Sequence, residues 1–183
     1  GSPSPTSANH VKKDLDGRID AILDGGECSV GLESTVITLV PEKPVLLRPG
    51  GITHEMLESV LGEVLVDPAV LNPLKEGQKV SSPGMKYKHY APKAKVVLIK
   101  SDDNNYYKYL SEYSTEKTVA LCYNEDLSNI KDIHCISYGK KNDYAEQASK
   151  LFDALRKIDE QGYELVYGRC PGTDGVGLAV YNR

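Results

Sequence analysis

The sequence predicts an α/β fold, and three observations carry that prediction. From Lys95 onward, short apolar runs alternate with longer segments of helical period, the pattern that builds a parallel sheet with crossover helices. The runs Val96-Val97-Leu98-Ile99, Val119-Ala120-Leu121-Cys122 and Ile133-His134-Cys135-Ile136 are nearly continuous, as expected of strands covered on both faces. Tyr144 to Gln161 places Ala145, Ala148, Leu151, Phe152, Leu155 and Ile158 at spacings of three and four, one buried stripe on a long helix. This half of the chain is expected to be Rossmann-like (flavodoxin-like), with a mostly parallel sheet.

The remaining elements follow in order. Gly1 to Ser7 reads as a loop, with Thr6 or Ser7 capping a helix that runs to about Leu15. Ile19 to Leu23, closed by Asp24-Gly25-Gly26, has the signature of a strand and turn. Thr35 to Val40 is rich in β-branched residues, and Pro44 to Leu47 extends the same sheet after a turn at Pro41-Glu42-Lys43. Thr53 caps a helix closed by Gly62, with Ile52, Met56, Leu57 and Val60 on one face. Val64 to Val66 completes this half as a short strand. In the second half, Asn105 to Tyr113 reads as a helix and Glu164 to Tyr167 as a strand. Gly168 to Gly175 then turns into a helix that starts at Val176.

Composition narrows the function. The chain has 183 residues, enough for one large or two small domains, and 40% apolar content is ordinary for a globular protein. A net charge of -4 and a pI near 5.6 oppose a broad nucleic-acid footprint, which needs a basic field. Lys86 to Lys93 is the one candidate basic patch. No apolar run approaches the roughly 20 residues of a membrane span, and no signal-peptide pattern opens the sequence, so a cytoplasmic location is expected. Cys28, Cys122, Cys135 and Cys170 form no C-x-x-C pair, and the four His residues lack ligand spacing. No metal site is expected, and the cysteines read as buried free thiols.

Four segments carry polar chemistry. In Glu33-Ser34-Thr35-Val36, two hydroxyls follow a glycine turn at a strand mouth, where they can meet a carboxylate or phosphate oxygen. Arg48-Pro49-Gly50-Gly51 ends a strand in a tight turn that fixes a guanidinium. Ser4 lies in a Ser-Pro-Ser-Pro loop just before a helix. Taken singly, these have plainer readings as a strand start, a solvated surface turn and a helix cap. Ser82 to Pro92 is a proline- and glycine-broken linker with Met85, Lys86, Tyr87, Lys88, His89 and Tyr90 packed into it, a composition suited to gripping a polar, partly aromatic ligand. Gly168 to Gly177 lacks both a P-loop ending and G-x-G-x-x-G, and reads as a turn.

The ordered series Ser-Pro-Ser-Pro-Thr, Gly17 to Gly26, Gly31-Leu32-Glu33-Ser34-Thr35-Val36, Leu47-Arg48-Pro49-Gly50 and Ser82 to Pro92 resembles the Sua5 family of two-domain threonylcarbamoyl-AMP synthases. The resemblance covers nearly the whole chain. It implies the back half of a YrdC-like catalytic domain over residues 1–75, an interdomain linker and active-site lid over 76–93, and the Sua5 C-terminal domain over 94–183. It further implies condensation of ATP (with Mg2+), L-threonine and bicarbonate to threonylcarbamoyl-AMP and pyrophosphate, feeding the tRNA threonylcarbamoyltransferase machinery that makes threonylcarbamoyladenosine. Ser34 and Thr35 would bind threonine. Ser4, Arg48, Tyr87, His89 and Tyr90 would bind ATP, and no catalytic side chain is singled out. Partners would be the small-molecule substrates, with no stable nucleic-acid contact and no membrane. The resemblance places Gly1 just after the family's Ser-x-Asn segment, with its Lys-x-Arg segment further upstream, so the chain reads as a fragment that is inactive alone. The alternative is a non-catalytic α/β module that binds a ligand or partner.

Overall fold

The computed structural model describes residues 3–71 and 91–183. The described residues build two sheets. The first has the order β1-β2-β3, formed by Val36–Thr38, Val45–Arg48 and Leu65–Val66. β1 and β2 pair antiparallel across the predicted turn, with Val36 opposite Arg48 and Thr38 opposite Val45. β3 joins β2 in parallel, because helix α2 (His54–Leu61) supplies the crossover. Helix α1 (Ala8–Leu15) precedes this sheet, with Ser7 as its cap accepting from the His10 amide. Thr53 caps α2 in the same way through Met56, and Gly62 ends it at a φ of 77°. A one-turn helix, α3 (Pro68–Leu71), follows β3.

The second sheet is wholly parallel, in the order β4-β7-β5-β6: Lys95–Ile99, Leu165–Arg169, Thr118–Cys122 and His134–Ser137. Helix α4 (Asp103–Tyr113) covers one face, packing Tyr106 and Leu110 on Ala120, Cys122 and Tyr167. Helix α5 (Tyr144–Glu160) covers the other, and its Ala148, Leu151, Phe152, Leu155 and Ile158 meet Val119, Leu121, Ile136 and Val166. Each of the larger of these apolar side chains contributes about 1.5–3 kcal/mol by leaving water. The predicted stripe of α5 from Ala148 to Ile158 thus builds the larger core of the described residues, whereas Ala145, in the first turn of the helix, is exposed and not part of it.

Helix α6 (Gly177–Tyr181) ties the two parts together. Its Leu178 joins Leu46, Val64 and Val70 in a small core under the first sheet, while Val180 joins the core of α5. A second junction lies between α1 and α5. Arg156, 6% exposed, donates to both Asp14 oxygens at 2.9 and 2.6 Å and to the Pro3 carbonyl. The Arg156 hydrogen bonds hold the Asp14 carboxyl below its usual range, against a smaller opposing effect of burial. Gly31, at φ 69°, lies so close to α5 that a Cβ there would come within 2.6 Å of the Ser149 backbone.

Several expectations need correction. Ile19 to Leu23 is not a strand: it has no hydrogen-bonding neighbour among the described residues, and Leu23 is 98% exposed. An extended apolar run becomes a strand only when a ladder partner reaches it. The α2 stripe does share a face, yet Ile52, Met56 and Val60 are exposed and only Leu57 packs on the small core. Periodicity marked the face without showing what would cover it. β4 is an edge strand whose Val96 and Leu98 are exposed, and neither joins the core that α5 builds. Of the four thiols, Cys122 is buried, Cys28 is exposed, and Cys135 and Cys170 are partly covered.

Candidate functional site

β2 ends at Arg48, and the next three residues bring the chain against the segment that enters β1. Gly50 makes this approach possible. A Cβ there would stand 2.4 Å from the Thr35 nitrogen and 2.5 Å from the Glu33 carbonyl oxygen, both backbone atoms. Thr35 fastens the same junction by donating its hydroxyl to the Ile52 carbonyl at 2.6 Å and accepting from the Ile52 amide at 3.1 Å. Arg48 reaches across, donating Nε to the Ser34 carbonyl at 3.0 Å and its terminal nitrogen to Ser34 Oγ at 3.2 Å.

Ser4 comes to this place from the loop ahead of α1, which is held by the Cys28 amide donating to the Thr6 carbonyl at 2.9 Å. Its hydroxyl donates to Glu33 Oε1 at 2.8 Å. Glu33 Oε2 accepts from Arg183 Nε at 2.6 Å, and Arg183 also donates to the Pro49 carbonyl at 3.4 Å. A cleft of about 420 Å³ runs between Ser4-Pro5-Thr6 and Cys28 to Glu33, large enough for part of a small-molecule ligand. A neighbouring hollow of about 360 Å³ lies beyond Pro5 and Thr6, and Asp24 is the one charged residue of its lining among the described residues.

The protons in this cluster are assignable from chemistry. A carboxylate can only accept, so the Ser4 proton is committed to Glu33 and the Ser4 lone pairs remain for a donor. Ser34 accepts from Arg48, which leaves its own proton for an acceptor. The site therefore offers a hydroxyl donor beside a guanidinium on one side and a hydroxyl acceptor backed by a carboxylate on the other. It suits a ligand that carries both an anionic group and neutral donors.

A second polar cluster occupies the carboxyl ends of β5 and β7, where parallel sheets commonly bind ligands. Here Arg169, 4% exposed, donates to Asp126 at 2.9 and 2.5 Å and lies 3.0 Å from Asp103. Its guanidinium stacks 4.0 Å from the Tyr106 ring centre. Asp126 also accepts from Tyr107 and from the Tyr123 amide. Burial opposes the Arg169 charge, but the Asp126 hydrogen bonds and the facing carboxylates outweigh it and hold its pKa above the ordinary value. Burial also pushes the Tyr106 hydroxyl up, so it stays neutral. This crevice is filled by the chain's own ion pair.

Ser4, Ser34, Thr35 and Arg48 thus gather around Glu33 and Gly50. Tyr87, His89 and Tyr90 lie outside the described residues. The sequence alone does not mark Glu33 or Arg183 as site residues. Glu33 sits inside a motif read for its hydroxyls, and Arg183 has no local signal because its partner is 150 residues away. Among the described residues no group of three or more His, Cys, Asp or Glu side chains gathers to hold a metal ion, and no helix is long and apolar enough to cross a membrane.

Known proteins resemble this chain over its whole length. A family model described as the threonylcarbamoyl-AMP synthase C-terminal domain matches residues 52–183, and one described as telomere recombination matches residues 1–50. The chain is 39% identical to threonylcarbamoyl-AMP synthases of Bacillus subtilis and Pyrococcus abyssi, covering 100% of itself and 53% of each of them. The crystal structure of P. abyssi Sua5 complexed with L-threonine superposes with a TM-score of 0.83 at 39% identity, over 100% of this chain and 53% of that one. The chain thus spans about half the length of the relatives it matches, and across most of its own length it belongs to the threonylcarbamoyl-AMP synthase C-terminal domain family.

Proposed function

We propose that this chain is part of an L-threonylcarbamoyladenylate synthase, joining ATP, L-threonine and bicarbonate into threonylcarbamoyl-AMP and pyrophosphate for tRNA threonylcarbamoyladenosine synthesis. The observation that carries this reading is the Ser34–Arg48 pair, held against the Gly50 turn in a family member. Ser34 turns its proton toward the threonine carboxylate. Arg48 places fixed positive charge where phosphate charge develops, a preorganised arrangement that costs no solvent reorganisation during reaction. Ser4 meets the nucleotide. Thr35 acts through the backbone, since its hydroxyl is engaged with Ile52. Mg2+ enters with ATP as part of the substrate.

The lid role of Tyr87, His89 and Tyr90 is part of the same proposal. An aromatic cover that excludes water protects a carbamate and a mixed anhydride, both easily hydrolysed. The domain boundaries at 75 and 93, a cytoplasmic location and hand-over of product to a tRNA-modifying transferase belong to it as well. A purely ligand-binding role for the parallel sheet has less support, because Arg169 and Asp126 fill its strand-end crevice.

The test uses the complete synthase, meaning this chain joined to the polypeptide that makes up the unmatched part of its relatives. Arg48→Ala is expected to lower kcat/KM for ATP roughly 100-fold, the loss typical of one transition-state donor. Ser34→Ala is expected to raise the KM for threonine about 10-fold, the equivalent of one hydrogen bond. Wild-type kinetics in both variants contradict the assignment.

A further inference from the structure

Resting on the synthase reading, we propose that Arg183 is a positioning residue for the nucleoside part of ATP, acting through Glu33 on the Ser4 hydroxyl. Three observations support it. The Arg183 and Glu33 side chains are 10% and 12% exposed, so their contact at 2.6 Å lies in a largely dry setting. The other Glu33 oxygen holds the Ser4 proton at 2.8 Å. Arg183 is fixed from several directions, donating to the Pro49 carbonyl and to the Asn182 side chain, while Asn182 donates to the Val70 carbonyl at 2.7 Å.

The chemistry gives the ligand group. With its proton held by a carboxylate, Ser4 can accept but cannot donate, and a phosphate oxygen, itself an acceptor, finds nothing to bond there. A ribose hydroxyl or an adenine amino group does. Arg183 keeps this polarity in place: without it, a largely buried Glu33 would be an uncompensated charge and would turn toward water. The Ser4 hydroxyl is then released. Because Arg183 follows α6, which packs in both cores, the C-terminal part of the chain sets the geometry of a nucleotide contact in the N-terminal part.

The experiment compares the complete wild-type synthase with Arg183→Met, Arg183→Lys and Glu55→Ala. The last is a control that cuts another tie between the two parts, the Gly175 amide to Glu55. Arg183→Met is expected to raise the KM for ATP and the inhibition constant of adenosine about 10-fold, with the KM for threonine and inhibition by inorganic pyrophosphate within about 2-fold. Arg183→Lys, which keeps the charge without the planar fork, should fall between. It carries the comparison if the Met variant does not fold. Glu55→Ala should match wild type. The inference is overturned if adenosine inhibition is unchanged, if pyrophosphate inhibition weakens equally, or if Glu55→Ala reproduces the effect. A wild-type enzyme that makes no threonylcarbamoyl-AMP overturns the synthase reading itself, and the inference with it.

Discussion

Replacing Asp126 with Ala is expected to lower the unfolding free energy by about 3–5 kcal/mol, the cost of stranding a buried charge. Arg169 has its guanidinium between the Tyr106 ring and the two carboxylates, and its side chain is 3% exposed. Without Asp126, the remaining carboxylate is Asp103, whose own side chain is 47% exposed and shared with Lys141. Tyr107 and the Tyr123 amide lose their acceptor at the same time. Equilibrium denaturation measures the loss. The double variant Asp126→Leu with Arg169→Met should recover much of it, because replacing both charges removes the desolvation problem along with the bond. A loss below about 1 kcal/mol for Asp126→Ala would mean that water reaches Arg169.

The second large effect belongs to Gly50. Gly50→Val is expected to reduce synthase kcat/KM at least 100-fold in the complete protein, since displacement of reacting groups by about 1 Å costs that much. A side chain at this position meets the Thr35 nitrogen and the Glu33 carbonyl, neither of which can rotate away. The turn must then separate from the strand entry, carrying Arg48 away from Ser34. The parallel sheet has no contact with Gly50 among the atoms closest to it, so its melting should change little. Full activity would show that the junction adapts and that its close packing does not define the site.

How much of this could be read beforehand depended on the range of the interaction. Helix caps at Ser7 and Thr53, the α5 stripe and the runs of β5 and β7 are set by neighbours a few residues away, and their patterns are local. Arg48 and Ser34 could be picked out because glycines and hydroxyls mark turns and strand mouths. The exposed apolar face of α2 and the false strand at Ile19 to Leu23 depended on what would lie against them, which amphipathic period does not encode. Glu33 and Arg183 lay beyond local reading for the same reason. An acidic residue in a turn and an arginine after a short helix look solvated until the fold brings them together. The Arg169–Asp126 pair also joins residues 43 apart, so neither end was marked as buried.

We propose that Ser4, Glu33, Ser34 and Arg48 form one wall of a threonylcarbamoyl-AMP synthase site, the rest coming from the part of the relatives that this chain does not match. Pyrophosphate release from ATP, L-threonine and bicarbonate tests it most directly, measured on the 183-residue polypeptide and on the complete synthase. Threonine- and bicarbonate-dependent release is expected from the complete protein and none from the 183 residues alone. Release by the 183-residue polypeptide, or none by the complete protein, would contradict it.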